Sequence, residues 1–128
     1  MTRHLTTEIP QRCWAPLCER MKDWYRGAVS IRWVHPDGAT EVVAENVPLQ
    51  SLEFQKRVNS CSDLMTVATG QADERPREHQ IIEPFCVILR KNEESGRYNE
   101  LDVLSETGKT EIYFSPGIDS GMLDELAA

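Results

Sequence analysis

Alternating apolar and polar residues near the C-terminus predict a β-hairpin. Leu101 and Val103 alternate with polar neighbours, and Ile112 and Phe114 do the same after Thr107-Gly108. If Thr107-Gly108 forms a two-residue loop, glycine accepts its positive φ without steric cost. Val103 then faces Ile112, Leu101 faces Phe114 and one sheet face is wholly apolar. The opposite face carries Asp102, Glu111 and Tyr113.

Apolar residues near the N-terminus repeat with helical spacing instead. The stripe consists of Trp14, Leu17, Cys18, Met21, Trp24 and Tyr25, and we expect its members to pack into the core. Pro16 is tolerated only in a first helical turn, so the regular helix should begin near Cys13, after a separate turn at residues 10–12. Gly27 is the predicted helix stop.

Short alternating segments elsewhere predict strands. They cover residues 29–33, 40–44, 47–54, 64–69 and 80–90, the last interrupted at Pro84. The sequence therefore predicts an α+β fold, in which an N-terminal amphipathic helix packs on an antiparallel meandering sheet of about six strands. The sheet could curl into a partial barrel, and Ile118 to Leu126 could form a short C-terminal helix. Residues 1–8 are expected to be a flexible segment, and residues 9–128 a single globular domain.

Composition narrows the range of partners. The chain has 128 residues and a net charge of −7, which opposes binding to nucleic-acid phosphates and to anionic lipid. No apolar run approaches the length of a spanning helix, and the N-terminus lacks the apolar segment of a signal peptide. We therefore expect a cytoplasmic protein whose four cysteines are free thiols.

The order of landmarks along the chain resembles that of a bacterial family of small domains of unknown function, from about residue 9 to residue 126. The matching elements are Ile9-Pro10, Trp14, Trp24, Val29-Ile31-Trp33, residues 48–52, Gly70, residues 79–81, Pro84, residues 87–89, residues 101–103, residues 108–110, residues 114–116 and Leu123-Asp124. The resemblance implies a small bacterial cytosolic domain and carries no activity.

His79 is the histidine most open to a functional interpretation. It borders a charged loop and could bind an anion together with Arg75 and Arg77. The alternative is a structural histidine, hydrogen-bonded at the entry to a strand. Tyr113, on the predicted outer face of the hairpin, is a further candidate binding residue.

The cysteines offer two other possibilities. Cys61 could act as a nucleophile with His79 or His35 as base, but a loop thiol without a catalytic role is favoured. Cys13, Cys18, His79 and Cys86 could hold zinc, but only part of the usual ligand spacing is met. Packing of Cys18 and Cys86 as small apolar residues is therefore favoured.

Two further motifs have simpler explanations. Gly108-Lys109-Thr110 lacks the earlier glycine and the following helix of a phosphate-binding loop, so a hairpin turn is favoured. Trp14, Trp24 and Trp33 could line a ligand pocket, but their spacing favours the core.

Because no catalytic constellation can be assembled, the sequence favours a non-enzymatic binding or protein-interaction module without a cofactor. Its partner would be another protein or a small anionic ligand, and the protein would be a monomer or a weak homodimer paired through an edge strand. The alternative is a small enzyme or anion-binding protein that uses His79 with Arg75 and Arg77, or Cys61 as nucleophile.

Overall fold

A computed structural model describes residues 4–56, 62–71, 73–119, 121, 123 and 126. In chain order its elements are strand β1 (His4–Ile9), a 3-10 turn (Gln11–Cys13), helix α1 (Trp14–Trp24) and strands β2 (Ala28–Val34), β3 (Thr40–Gln55), β4 (Leu64–Thr69), β5 (Arg77–Ile82), β6 (Pro84–Asn92), β7 (Arg97–Ser105) and β8 (Gly108–Asp119). The protein is thus mostly β.

The strands form one antiparallel sheet of eight, in the order β1-β6-β7-β8-β2-β3-β4-β5. Two consecutive runs, β2 to β5 and β6 to β8, meet where β2 pairs with β8. The predicted α+β fold with about six strands and a C-terminal helix is therefore wrong. The sheet is curled, as the contact between His79 on edge strand β5 and Thr110 on β8 indicates. It does not close into a barrel, since β1 and β5 remain its two edges.

Strand β3 is one long strand where the sequence predicts two. Its first part pairs with β2 and its second with β4. The predicted break at Glu45-Asn46 is a bulge inside this strand, where Asn46 has a φ of 49°. Ser30 Oγ accepts a hydrogen bond from the Asn46 backbone N–H at 2.9 Å. An extra residue bends a strand without ending its pairing, so the polar pair marks an irregularity and not a loop.

The predicted register of the C-terminal hairpin is wrong by two residues. Leu101 lies opposite Ile112 and Val103 opposite Thr110, so the loop is Glu106-Thr107. Gly108 has a φ of +118°, and a Cβ there would collide with the carbonyl oxygen of Val34 on β2. This glycine is therefore required both by its positive φ and by the close approach of a neighbouring strand. The predicted apolar face is nonetheless correct, because a shift of two residues preserves the alternation and all four of its members are buried.

Helix α1 follows the prediction at its start but not at its end. It begins at Trp14, after the 3-10 turn, and Trp14, Leu17, Cys18 and Met21 are buried. Trp24, predicted to be buried, is 57% exposed, whereas Tyr25 is buried as predicted. The backbone turns to an extended conformation at Tyr25, which directs that side chain inward. The helix ends at Trp24, three residues before Gly27, so this glycine is not its cap.

The helix packs on strand β3. The ring of Trp14 meets Phe54 of β3 edge to face, with 5.3 Å between centroids. The Trp14 indole N–H also donates to the carbonyl of Ile9 at the end of β1, at 2.9 Å. These two contacts hold the start of α1 against β3 and β1.

Both ends of the chain differ from the prediction. Residues 4–8, expected to be loose, belong to β1, which pairs with β6. Ile118, the predicted start of a C-terminal helix, lies in β8, and most of residues 120–128 fall outside the described residues. Among the described residues, no helix has the length and apolar character required to cross a membrane.

The close approach at Gly108 can be tested against a second glycine with positive φ. We expect Gly108→Ala to lower the free energy of unfolding by about 2–5 kcal/mol, combining roughly 1–2 for the backbone conformation with roughly 1–3 for displaced neighbours. Gly96→Ala is the matched control, because Gly96 has a φ of +69° and its added methyl would meet no described atom within 4 Å. It should cost only about 1–2 kcal/mol. Equal losses in urea denaturation would contradict the steric explanation.

Candidate functional site

A groove of about 370 Å³ lies beside the end of α1. This volume is within the range of small-molecule sites. Its apolar lining includes Met21, Trp24, Tyr25, Ile118 and Leu123, and its basic lining consists of Arg20, Arg26 and Arg97. The groove thus combines an apolar surface with a local excess of positive charge, in a chain whose net charge is −7.

Tyr25 holds the floor of the groove in place. Its hydroxyl lies 2.8 Å from the carbonyl oxygen of Ala28 at the start of β2 and 3.0 Å from that of Pro116 in β8. Burial raises the pKa of Tyr25 to about 12, so the hydroxyl remains a donor at neutral pH. A side chain at Gly27 would collide with this hydroxyl. The tyrosine therefore ties α1 to two strands of the sheet.

The two walls of the groove each carry an arginine. Arg26 Nη1 donates to the carbonyls of Lys22 and Tyr25 at 3.0 and 3.1 Å, where a cation also interacts favourably with the helix dipole. Arg97, the first residue of β7, donates through Nη1 to the carbonyl of Gly117 at 3.2 Å. A Cβ at Gly117 would lie 3.0 Å from Arg97 Cβ, so a side chain there would crowd this arginine.

Trp24 supplies the largest exposed apolar surface of the groove. The other two tryptophans are held elsewhere: Trp14 is buried, and the Trp33 indole N–H donates to the Thr107 carbonyl at 2.9 Å. The sequence places all three in the core, which is correct for Trp14 and wrong for Trp24, while Trp33 is only partly buried and lies outside the core cluster. The alternative interpretation, that tryptophan lines a ligand pocket, fits the position of Trp24.

A second candidate region is a carboxylate cluster on the outer face of β7 and β8. It consists of Glu100, Asp102 and Glu111, each of which places one oxygen within 4.8 Å of the others. Asp102 and Glu111 lie directly opposite each other, and like charges in this position oppose pairing. Three cations compensate: Arg90 contacts Asp102 at 2.8 Å, while Lys109 and Arg32 contact Glu111 at 2.9 and 3.1 Å.

The protonation of Glu100 differs from that of its neighbours. Burial, with the adjacent charge of Asp102, raises the pKa of Glu100 to about 8, although Arg90 acts in the opposite direction. Asp102 is 1% exposed, and its Oδ1 has no hydrogen-bond partner among the described residues. A protonated Glu100 can donate to that oxygen. Three cations and one proton therefore offset the mutual repulsion of the carboxyl groups in the cluster.

His79 lies in a structural environment. Its Nε2 is 3.0 Å from the hydroxyl of buried Thr110, and its ring meets Trp33 edge to face at 5.2 Å. Burial lowers the pKa of His79, and Glu41 opposes this only in part. A neutral, half-buried imidazole is a weak partner for an anion.

The other predicted site residues are divided between two surfaces. Arg75 and Arg77 are exposed and line a depression of about 440 Å³ together with Glu45 and Glu74. Arg77 also lines a smaller depression with His79. Tyr113 belongs to the carboxylate cluster, where its hydroxyl donates to Glu111 at 2.9 Å and accepts from Arg32 at 3.1 Å. Because side chains alternate along a strand, Tyr113 and the Thr110 that meets His79 point to opposite faces of β8. The anion site therefore stays a prediction, and Tyr113 does not join it.

The Cys18 and Cys86 thiols are not activated. Burial, with the charges of Glu53 and Glu19, raises the pKa of Cys18 to about 12. Burial and the contact with Glu8 raise the pKa of Cys86. Cys13 is partly buried and free. Of the four possible zinc ligands, none belongs to the described cluster of metal-ligating side chains, and Cys61 lies outside the described residues.

Sequence reasoning missed the groove, and it placed Asp102 and Glu111 of the cluster on one face without Glu100. The groove combines residues from the end of α1, the start of β7 and the end of β8, which adjoin only through the sheet order. The cluster had a usable signal, since Glu100, Asp102 and Glu111 alternate with apolar residues on paired strands.

The raised pKa of Glu100 predicts a pH-dependent stability. Between about pH 5 and 8 the folded protein retains a proton that the unfolded chain, with an ordinary pKa of 4.5, has lost. The free energy of unfolding should therefore fall as the pH rises through this window and level off above it. In urea denaturation, Glu100→Gln should flatten this dependence.

Glu94→Gln, at an exposed turn position, is the matched control for that experiment. His79 contributes the opposite slope, because its pKa is lowered, and it does so in every variant. The difference between Glu100→Gln and Glu94→Gln thus isolates Glu100. Parallel profiles for the two variants would contradict the assignment.

The structural interpretation of His79 predicts lost stability without lost binding. His79→Ala should lower the free energy of unfolding by about 1–3 kcal/mol, since Thr110 loses a buried partner. Arg75→Ala and Arg77→Ala, at exposed positions, should stay within about 0.5 kcal/mol of the wild type. Phosphate should leave the backbone amide signals of residues 75–79 unchanged. Selective shifts that His79→Ala abolishes at constant stability would establish the anion site instead.

Comparisons with known proteins leave the family open. No protein-family model, no curated protein and no solved structure matches this chain. The resemblance to a bacterial family of domains of unknown function therefore stays a prediction from the order of its motifs.

Proposed function

We propose that this protein is a non-enzymatic binding module, and that its ligand site is the groove between the end of α1 and the end of β8. The observation that carries the proposal is the position of Trp24, which is 57% exposed and lines this groove. Exposing a large aromatic side chain opposes the hydrophobic effect, and a concave apolar site is where a ligand would restore its burial.

The surroundings of Trp24 support the same proposal. Met21, Ile118 and Leu123 in the lining are buried to at least 95%, so they form a firm apolar base. Tyr25 fixes the base to β2 and β8 through its hydroxyl. A site held by regular elements is preorganised, which reduces the entropy cost of binding.

The alternative of a small enzyme has less support. Burial raises the pKa of the Cys18 and Cys86 thiols, which keeps them protonated, and His79 is engaged with Thr110 and Trp33. A nucleophile needs a base within hydrogen-bond reach and a group that orients it, and the groove lining offers no such pair among the described residues. Cytoplasmic location is part of the proposal, supported by the free thiols of Cys13, Cys18 and Cys86.

Nuclear magnetic resonance can test the groove with a neutral apolar probe, 2-naphthalenemethanol. The chain has three tryptophans, hence three indole N–H signals, and the probe should shift that of Trp24 while leaving those of Trp14 and Trp33 in place. In Trp24→Ala, which lacks this indole signal, binding is followed by the backbone amide signals of the groove lining. This variant should lose binding with little change in stability, because the side chain is mostly exposed.

Phe85→Ala is the matched control. Phe85 is 61% exposed but does not line the groove, so this variant should bind the probe normally. Unchanged binding by Trp24→Ala, or no binding by the wild type, would overturn the proposal.

A further inference from the structure

The groove is basic as well as apolar, and this combination restricts its ligand. Arg20, Arg26 and Arg97 line it, whereas Asp119 is its one acidic residue among the described lining. Asp119 Oδ1 already accepts a hydrogen bond from the Gly121 backbone N–H at 2.9 Å. The lining thus has an excess of positive charge within a strongly acidic chain.

Arg26 and Arg97 retain donors for a ligand. Their contacts in the described part of the chain are with backbone carbonyls, through Nη1 in each case. These contacts orient the two guanidiniums without neutralising them. A guanidinium has five N–H donors in a planar fork that matches a carboxylate, so most donors of each side chain remain uncommitted.

The two arginines occupy different walls. Arg26 follows the end of α1, and Arg97 opens β7 opposite Asp119. The apolar surface of Trp24 and Ile118 belongs to the same lining. A ligand that satisfies all of these groups needs an apolar body and one acid group.

Resting on the function proposed above, we propose that the groove binds a small aromatic monocarboxylate, whose ring packs on Trp24 and whose carboxylate pairs with Arg26 and Arg97. Hydrogen bonds between ionised partners are the stronger ones in proteins. The apolar contacts supply affinity for any ring of suitable size, and the arginines select the acid.

Three probes with one ring system separate these contributions. 2-Naphthoate, 2-naphthalenemethanol and 2-naphthylmethylamine carry a negative, a neutral and a positive group, and their dissociation constants can be measured by the shift of the Trp24 indole signal. We expect 2-naphthoate to bind at least about tenfold more tightly than the alcohol, which corresponds to about 1.4 kcal/mol. The amine should bind most weakly.

Arginine variants locate the selectivity. Arg26→Gln and Arg97→Gln should each reduce the advantage of 2-naphthoate about threefold or more, and the double variant should abolish it, while the affinity for the alcohol stays unchanged. Arg12→Gln, at an exposed arginine outside the groove lining, should leave all three affinities unchanged.

The outcomes distinguish this inference from the proposed function. If the alcohol and 2-naphthoate bind equally, or if the double variant keeps the preference, the inference is overturned while the apolar site stands. If no probe binds, both are overturned. If inorganic phosphate alone reproduces the Trp24 shift at comparable concentration, the site recognises charge without an apolar body, and the inference is again overturned.

Discussion

The pairing of β2 with β8 is the contact on which the rest of the structure depends. It joins two runs of consecutive strands into one sheet, and its register runs without a shift from Ala28 opposite Ser115 to Val34 opposite Lys109. Gly108 permits it, because any side chain there would meet the Val34 carbonyl. Such a junction brings together residues far apart in sequence, so it carries a large loop-closure cost that must be offset by burial. Val29, Ile31, Ile112 and Phe114, all buried, supply that burial at the junction itself.

The same junction generates the groove. Near its Ala28–Ser115 end, the Tyr25 hydroxyl reaches both strands, and the Tyr25 ring packs edge to face on Phe114 at 5.3 Å. Holding Tyr25 inward ends the helix and leaves Trp24 on the outer side. Beyond that point β8 continues to Asp119, opposite Arg97, and thereby provides the second wall. The exposed tryptophan and the basic wall thus share one structural origin.

The sequence predicts which residues share a face more reliably than it predicts their pairing. Alternation depends on local geometry with a period of two, so the buried set Leu101, Val103, Ile112 and Phe114 is correct despite the wrong register. The register itself depends on where Gly108 lies, and this glycine follows the loop, where it also permits the close approach of β2. The start of the helix was predictable from Pro16. The end of the helix was not predictable, because contacts with β2 and β8 turn Tyr25 inward. The groove was unpredictable for the same reason, since its walls meet only in the folded sheet.

The outer face shows how the sheet accommodates charge at its centre. Asp102 and Glu111 face each other across β7 and β8. An apolar pair at these positions would need no neighbouring cations to stabilise the sheet. Arg90 reaches both Glu100 and Asp102, at 3.4 and 2.8 Å, and Arg32 with Lys109 balances Glu111. Removing one member of such a network leaves an uncompensated charge at a site with little water. With its cations already paired, this face differs from the groove, where Arg26 and Arg97 contact carbonyls. It follows that the groove, and not the more highly charged outer face, has donors available to a ligand.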